Sequence, residues 1–163
     1  NGRMSETRPL LAINPDRIEL DEAYLQMAEI WAKRSKAVRN QVGALIVNNR
    51  QLISDGYNGM PTGAEDDVCE FYDFNGHLTT KPDVLHAESN ALLKITKAGG
   101  RGAHGATMYV TLSPCTECAK LITQSEISRV VFRHLYRDDA GIHLLRKYGV
   151  QVTHLPQPSE TKS

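Results

Sequence analysis

Residues 107–122 read TMYVTLSPCTECAKLI, and the interpretation of the fold starts from this stretch. Its first five residues are rich in β-branched and aromatic side chains, which is typical of a strand. Pro114 follows Ser113, a pair that predicts a helix capped by the serine with the proline at its first position. A strand that passes directly into a helix is one unit of an α/β fold.

The same alternation continues on both sides of this stretch. Short apolar runs predict strands, and apolar residues at helical spacing predict helices. The predicted strands cover 42–47, 52–57, 129–132 and 150–154, and the predicted helices cover 21–34, 86–98 and 140–148. Asp21 is expected to cap the first helix, and Gly99-Gly100 to end the second. This order predicts an α/β sandwich with largely parallel central strands.

The chain of 163 residues is interpreted as a single domain, 1–163, since soluble domains most often contain about 100–150 residues. Residues 1–19 are expected to form an N-terminal arm, and residues 155–163 a flexible tail. Residues 59–85 contain glycines, prolines and aromatics without a clear period. Loops of this length are usually functional or disordered, and the aromatics favour an ordered insertion loop.

Composition limits the classes of partner. Lys plus Arg equals Asp plus Glu, 19 each, so the formal net charge is zero. This balance disfavours nucleic-acid partners, which usually require a basic excess. No apolar run approaches the roughly 18 residues of a membrane span, so no membrane partner is expected. The small, odd number of three cysteines is typical of a protein in the reducing cytoplasm, where thiols bind metals or react rather than form disulfides. For a viral protein this would be the cytoplasm of the host.

Three residues of metal-ligand type are predicted near the starts of two helices. Cys115 and Cys118 are three positions apart, so their Cβ atoms should lie about 5–6 Å apart on one helix face. Two Zn–S bonds of about 2.3 Å bridge such a gap, and a helix N-terminus favours thiolates. If the two helix starts lie side by side, His86 completes a three-ligand site that leaves one tetrahedral position open, the pattern of catalytic zinc.

Glu88 is the fourth residue of this constellation. Residues two apart do not share a helix face, so Glu88 is not expected to be a ligand beside His86. A carboxylate at this position is expected to reach a water molecule on the metal and to act as a general acid/base.

These residues form a motif that identifies a family. His86-Ala87-Glu88 followed by Pro114-Cys115-Thr116-Glu117-Cys118 is the zinc deaminase signature. The stretches 41–44 and 56–61, and the later Tyr136, closely resemble deoxycytidylate (dCMP) deaminases, as does the long insertion before His86. The resemblance covers roughly residues 21–154 and places the chain in the zinc-dependent cytidine/deoxycytidylate deaminase family.

The resemblance implies a fold and a reaction. The fold would be a three-layer α/β/α sandwich with a five-stranded mixed sheet, as in cytidine deaminases. The reaction would be the hydrolysis of dCMP to dUMP and ammonia. A zinc-bound hydroxide would add to C4 of cytosine, and Glu88 would carry protons to N3 and to the departing amine.

The resemblance also implies binding residues and regulation. Asn58 would hydrogen-bond the nucleoside, Tyr136 would line the pocket, and the base edge would be held by backbone groups near Gly43, Ala44 and Ala87. Members of the family are commonly homo-oligomers, often hexamers, activated by dCTP and inhibited by dTTP with Mg²⁺. The insertion would contribute to the effector site, with Asp66 and Asp67 binding Mg²⁺ or pairing with arginine.

Some residues retain two interpretations. Arg39 and Arg137 are candidate phosphate ligands, because the guanidinium fork suits a phosphate, or they are solvated surface charges. Cys69 is expected to be a free thiol, and a second structural zinc would need His77 and nearby acids as further ligands.

Two rival functions stay open at this point. The first keeps the zinc chemistry but changes the substrate to cytidine, cytosine, a riboflavin precursor or a tRNA adenosine; the neutral charge disfavours the tRNA. The second is a catalytically silent nucleotide-binding protein that uses zinc for structure, which the intact Glu88 disfavours.

Overall fold

The computed structural model describes residues 12–97 and 102–158. Residues 1–11 of the predicted arm, 159–163 of the predicted tail and the predicted helix end at Gly99-Gly100 lie outside the described residues. Within them, none of the helices is long and apolar enough to cross a membrane. In chain order the described elements are α1 Leu20–Ala32, β1 Gly43–Asn48, β2 Gln51–Tyr57, β3 Glu70–Tyr72, β4 Leu78–Thr80, α2 Ala87–Lys97, β5 Thr107–Leu112, α3 Thr116–Gln124, β6 Arg129–His134, α4 Ala140–Lys147 and β7 Gln151–His154.

The main sheet has five strands in the order β2-β1-β5-β6-β7. β1 is antiparallel to both of its neighbours, while β5, β6 and β7 are mutually parallel. The predicted five-stranded mixed sheet is therefore confirmed. The parallel arrangement is confined to one half of the sheet, because β1 and β2 form a hairpin.

Helices cover both faces of this sheet. Alternate residues of β1 point to opposite faces, as a period of two requires. Ala44 and Ile46 pack in the larger core with α2, α3 and α4, and Leu45 and Val47 pack in the smaller core with α1. The three-layer α/β/α arrangement is thus confirmed, with one helix on one face and three on the other.

Helix α1 is held on its face by ion pairs rather than by the predicted cap. It begins at Leu20, with Glu19 at the N-cap position and no side-chain cap. Asp21 instead accepts hydrogen bonds from Arg129 at 2.7 and 3.1 Å and from the Tyr109 hydroxyl at 2.6 Å. The prediction that Asp21 caps the helix is wrong, because its carboxylate is used to join the helix to β5 and β6.

Two glycines allow the backbone approaches that bring the helix starts together. A Cβ on Gly56 of β2 would lie 2.5 Å from the Ala87 carbonyl oxygen in α2. A Cβ on Gly141 of α4 would lie 2.0 Å from the Pro114 carbonyl oxygen, just before α3. Any side chain at either position would displace one of the segments that carry the candidate metal ligands.

The insertion is an ordered loop closed at its base. Gly59 and Leu85 exchange two backbone hydrogen bonds, at 2.8 and 3.0 Å. Between them, β3 and β4 form a short antiparallel hairpin, which the sequence pattern did not predict. The hairpin places one side of the insertion against the segment that follows α1.

Candidate active site

The predicted metal ligands converge. The ligand atoms of His86, Cys115 and Cys118 all lie within 4.8 Å of one another. His86 Nδ1 is 3.6 Å from Cys115 Sγ and 3.3 Å from Cys118 Sγ. His86 immediately precedes α2, Cys115 occupies the N-cap position of α3, and Cys118 lies in its first turn.

This spacing fits a tetrahedral zinc ion. Zn–S bonds of about 2.3 Å and Zn–N bonds of about 2.0–2.1 Å would separate the sulfur and nitrogen ligands by about 3.5 Å. Two thiols and an imidazole are also the soft and borderline donors that zinc prefers. In the part of the chain that the structure describes, no other His, Cys, Asp or Glu belongs to this group.

The electrostatics of the three ligands favour a bound cation. Hydrogen bonds from the Cys118 thiol and from His86 lower the pKa of Cys115 to about 3. The neighbouring Cys115 and burial raise the pKa of Cys118, and the hydrogen bond to Cys115 raises that of His86. The cluster therefore holds a thiolate at neutral pH, and a cation would stabilise a second one.

Glu88 lies beside this cluster and is almost completely buried, with 5% of its surface exposed. Its carboxyl group adjoins the Cys118 thiol, and burial raises its pKa to about 7. Among the described residues, no lysine, arginine or histidine lies within ion-pair distance of it. It has the burial and position of a proton-transfer group, next to the predicted ligands and not one of them.

The candidate metal ligands and Glu88 lie at a cleft of about 470 Å³, a volume typical of small-molecule sites. His86, Glu88 and Cys115 line it. Several predicted binding residues also lie in its wall: Arg39, Asn58, Ala87, Tyr136 and Arg137. Gly43 and Ala44 are buried behind the wall, and Val42 lines it instead.

Asn58 is anchored by its own amide group. Its Oδ1 accepts a hydrogen bond from the Val42 N–H at 2.9 Å, and its Nδ2 donates to the Asn40 carbonyl at 2.7 Å. Asn58 therefore fixes the segment 33–42, which we call the α1–β1 loop, at the end of β2. Its predicted contact with the nucleoside stays a prediction and would use the remaining hydrogen-bonding capacity of the amide.

Tyr136 is positioned by Ser113, which the sequence pattern had predicted to be a helix cap. Ser113 was expected to cap α3, but α3 begins at Thr116 with Cys115 at the N-cap. The Ser113 hydroxyl instead accepts the Tyr136 N–H at 2.7 Å. This bond holds the β6–α4 loop over the cleft. The prediction of a Ser113 cap is wrong because the segment between β5 and α3 is extended, which moves the helix start by two residues.

The two candidate phosphate ligands carry charges that face the cleft. Arg137 stacks on the ring of Tyr136, with its guanidinium carbon 5.5 Å from the ring centroid. Arg39 donates a hydrogen bond to the Thr80 hydroxyl at 3.0 Å. Neither forms an ion pair with a carboxylate of the described residues. Both guanidinium groups are available to an anionic ligand.

The predicted effector acids lie apart from the metal cluster. Asp66 pairs with Lys81 at 3.5 Å, and Asp67 pairs with Lys36 at 2.6 Å. Each pairs with a lysine rather than with the arginine that was expected. Both carboxylates are more than half exposed, and their predicted role with Mg²⁺ stays a prediction.

Cys69 is a free, buried thiol, and burial raises its pKa. The His77 ring is exposed and lies 3.9 Å from Asp73. Neither residue lies in a group of possible metal ligands, and the only such group among the described residues is the one at His86.

Among the cleft residues that sequence reasoning missed are Glu70 and Thr80. Both belong to the β3–β4 hairpin and are paired across it. Three-residue strands give too short a pattern to be recognised, so no sequence signal was available for them.

A fold of this kind with a His–Cys–Cys cluster beside a buried glutamate defines the class of zinc-dependent deaminases, and comparison with known proteins agrees. Residues 18–134 match the model of the cytidine and deoxycytidylate deaminase zinc-binding region. The chain belongs to the cytidine and deoxycytidylate deaminase family. The resemblance found in the sequence is thereby confirmed.

Individual relatives are deoxycytidylate deaminases. The chain is 43% identical over 120 residues to the human deoxycytidylate deaminase, covering 72% of this chain and 66% of the relative. It is 32% identical to that of Enterobacteria phage T4, over 85% of this chain and 91% of the relative. A dCMP deaminase from the cyanophage S-TIM5, solved in complex with dCMP and dUMP, superposes with a TM-score of 0.78 at 36% identity, covering 88% of this chain and 99% of that one.

Proposed function

We propose that this protein hydrolyses dCMP to dUMP and ammonia. The observation that carries the proposal is the buried Glu88 carboxyl beside the convergent His86, Cys115 and Cys118, all at the wall of one cleft. The named relatives, including one solved with dCMP and dUMP, support this choice of substrate.

The site residues suit the two parts of this reaction. A zinc ion held by His86, Cys115 and Cys118 would supply a water molecule whose pKa is lowered toward about 7. Glu88 would take a proton from the attacking water and pass protons to N3 of the base and to the departing amine. Burial of Glu88 in the cleft wall keeps bulk water from competing for these protons. The overall change adds one water and releases one ammonia, so atoms balance.

The charges of the cleft favour a nucleotide over a nucleoside. Arg39 and Arg137 line the same cleft as Glu88 and Glu70, and neither arginine forms an ion pair with a carboxylate of the described residues. Two such guanidinium groups match the phosphate of dCMP. This local charge reconciles an anionic substrate with a chain of zero net charge.

Regulation and assembly form a second part of the proposal. We infer that dCTP activates the enzyme and that dTTP with Mg²⁺ inhibits it. We also infer that the protein forms a homo-oligomer, a hexamer as the family resemblance implies, and acts in the cytoplasm. The support is the resemblance together with the insertion, which carries Asp66 and Asp67 and contacts the cleft wall. Rate-versus-dCMP curves with and without each triphosphate, and sedimentation velocity, measure these properties directly. Hyperbolic curves that neither triphosphate alters would remove the regulatory part and leave the reaction intact.

The substrate assignment is tested by ammonia release from dCMP, CMP, deoxycytidine and cytosine under identical conditions. We expect kcat/KM to be highest for dCMP. A higher kcat/KM for deoxycytidine than for dCMP would overturn the nucleotide assignment. Release from none of the four by zinc-loaded protein would overturn the reaction itself.

The ligand assignment is tested by the substitution Cys115→Ser. Serine removes one thiolate from the cluster, so we expect the zinc content of purified protein to fall well below one ion per chain. The matched control is Cys69→Ser, the same change at a cysteine outside the cluster, which should leave the zinc content unchanged. Full zinc occupancy in Cys115→Ser would remove Cys115 from the ligand set.

A further inference from the structure

The insertion hairpin contacts the cleft wall through a buried carboxylate. Glu70, the first residue of β3, is only 7% exposed. One of its oxygens accepts the backbone N–H groups of Val38 and Arg39, at 2.9 and 3.0 Å. These bonds join the hairpin to the α1–β1 loop across 32 and 31 positions of sequence. A buried carboxylate is stable only when its oxygens are hydrogen-bonded, so this contact fixes the loop backbone firmly.

The second strand of the hairpin holds the side chain of the same arginine. Thr80 is the direct partner of Glu70 in the hairpin register. Its hydroxyl accepts a hydrogen bond from Arg39 Nη1 at 3.0 Å. Arg39 is therefore held at both ends: at its backbone by Glu70 and at its guanidinium by Thr80.

This arrangement orients the charge of Arg39 without neutralising it. A threonine hydroxyl accepts a hydrogen bond but carries no charge, and Arg39 forms no ion pair with Glu70 or with any other carboxylate of the described residues. The guanidinium has five N–H donors, and the bond to Thr80 uses one. The remaining donors, in a cleft that also contains Glu88, suit a group with several negatively charged oxygens.

We propose that the β3–β4 hairpin positions Arg39 as the anchor for the substrate phosphate, with Glu70 fixing the loop backbone and Thr80 fixing the guanidinium. Glu70 and Thr80 are positioning residues: they act through Arg39 and need not touch the substrate. This inference rests on the proposed function for the identity of the ligand. It gives the insertion a role in recognising the substrate in each subunit, separate from any role in effector binding.

If Arg39 is held in place before the ligand binds, loss of this contact should weaken the binding of nucleotides and not that of nucleosides. An arginine that is ordered before the ligand binds loses less side-chain entropy on binding, and releasing it weakens affinity by about two- to tenfold. Only a ligand that uses Arg39 experiences this loss. The phosphate-free deoxycytidine is therefore the reference ligand.

The test measures dissociation constants of dCMP and deoxycytidine by calorimetry, in protein that also carries Glu88→Gln so that neither ligand is consumed. We expect Arg39→Gln to weaken dCMP binding at least about tenfold and deoxycytidine binding less than about twofold. Thr80→Val, which keeps the shape and removes the hydroxyl, should weaken dCMP about two- to tenfold and leave deoxycytidine unchanged. In the Arg39→Gln background, Thr80→Val should have no further effect on dCMP.

Thr79→Val is the matched control, because it is the same change on the opposite face of β4 and outside the cleft wall. It should leave both dissociation constants unchanged. Thr80→Ser keeps a hydroxyl and should bind dCMP like the parent. If Thr80→Val does not fold, Glu70→Leu takes its place, compared with Glu70→Gln, whose amide oxygen still accepts both N–H groups.

Three results would overturn the proposal. Arg39→Gln with unchanged dCMP affinity would remove the anchor. Thr80→Val acting equally on dCMP and deoxycytidine, or equally with and without Arg39, would show a general structural effect. Unchanged dCMP affinity in Thr80→Val would show that the hydroxyl does not position the arginine. Because the measurement is of binding, dCMP affinities that change as expected, together with no ammonia release by zinc-loaded protein that keeps Glu88, would refute the proposed reaction and leave the anchor standing.

Discussion

Glu88 and Arg133 are both buried charged residues, but they lie on opposite faces of the sheet and in opposite electrostatic environments. Arg133 is 0% exposed and donates two hydrogen bonds to Glu22, at 2.6 and 2.9 Å, and one to Glu29 at 3.0 Å. Glu88 is nearly as buried, and the described residues provide no ion pair for it. On the first face buried ion pairs attach α1 to the sheet, and on the second a buried carboxyl group has no ion-pair partner among the described residues.

The pKa values of the carboxyl groups show the consequence of this difference. Hydrogen bonds from Arg133 hold the pKa of Glu22 below its ordinary value, while burial raises that of Glu88 to about 7. A compensated carboxylate stays ionised and stabilises the fold, whereas an uncompensated one exchanges protons near neutral pH. The same chemical group is therefore structural on one face and suited to catalysis on the other.

The largest expected effect comes from Glu88→Gln. The amide keeps the shape of the side chain but cannot carry protons, so we expect kcat for dCMP to fall about 10²–10⁴-fold. Zinc content should stay near one ion per chain. The thermal unfolding midpoint should not fall, because the substitution replaces a buried carboxyl group that forms no ion pair with the described residues. Glu117→Gln is the matched control, an exposed glutamate between the two cysteine ligands. Parent-like turnover by Glu88→Gln would show that proton transfer uses another group.

Arg133→Met tests the opposite side of the comparison. It leaves Glu22 and Glu29 without their partner, so we expect the free energy of unfolding in urea to fall by about 3 kcal/mol. This loss is near the lower end of the range for breaking a buried ion pair. Both glutamates retain some exposure, so water can partly solvate them once the arginine is gone. At temperatures where the variant is folded, kcat should match that of the parent. Arg146→Met, at an exposed position, is the control, and an equal loss of stability in both variants would contradict the structural role of Arg133.

Two of the ion pairs of α1, those of Asp21 and Glu22, predict a dependence of stability on pH. Arg129 holds the pKa of Asp21 below its ordinary value of 3.8, and Arg133 holds that of Glu22 below 4.5. A carboxylate with a lowered folded-state pKa stabilises fully above its unfolded value and loses this contribution as pH falls through the folded value. We therefore expect the contribution to be complete above about pH 5 and to decline below about pH 4. Below about pH 4 the unfolding midpoint of Asp21→Asn should fall less steeply with pH than that of the parent; parallel slopes would contradict the assignment.

The smallest expected effect is that of Tyr109→Phe. It removes a single hydroxyl that donates to Asp21, and Asp21 keeps both bonds from Arg129. We expect a loss of about 1–2 kcal/mol in the free energy of unfolding and no change in kcat. The exposed Tyr148 provides the control substitution Tyr148→Phe. A change in kcat for Tyr109→Phe alone would show that the two faces are coupled.

Most strands of the main sheet and the helices that cover it could be predicted, because the pattern of apolar residues that marks each one is local in the sequence. Apolar runs mark β1, β5 and β6, and the spacing of apolar residues marks all four helices. The helix starts were less predictable: Asp21 and Ser113 are good capping residues, but distant partners recruit both side chains. Propensity identifies a residue that is able to cap, and tertiary contacts decide whether it does.

The candidate metal ligands and Glu88 could be singled out from the sequence because zinc chemistry needs these residue types at short spacings in the chain. The hairpin residues were not, because Glu70 and Thr80 act on Arg39 across more than 30 positions of sequence and β3 and β4 are too short to show a period. The antiparallel direction of β1 could not be predicted either, because its pairing with β2 and β5 exists only in the folded sheet.

By itself, therefore, the sequence determined the order of elements and which residues form the candidate metal cluster and its neighbouring glutamate. Each of these depends on residues that are neighbours along the chain or on motifs of a few positions. Only the tertiary structure decided which charges are compensated and which are not. Compensation depends on the distance between groups far apart in sequence, and that distance exists only once the helices have packed on the sheet.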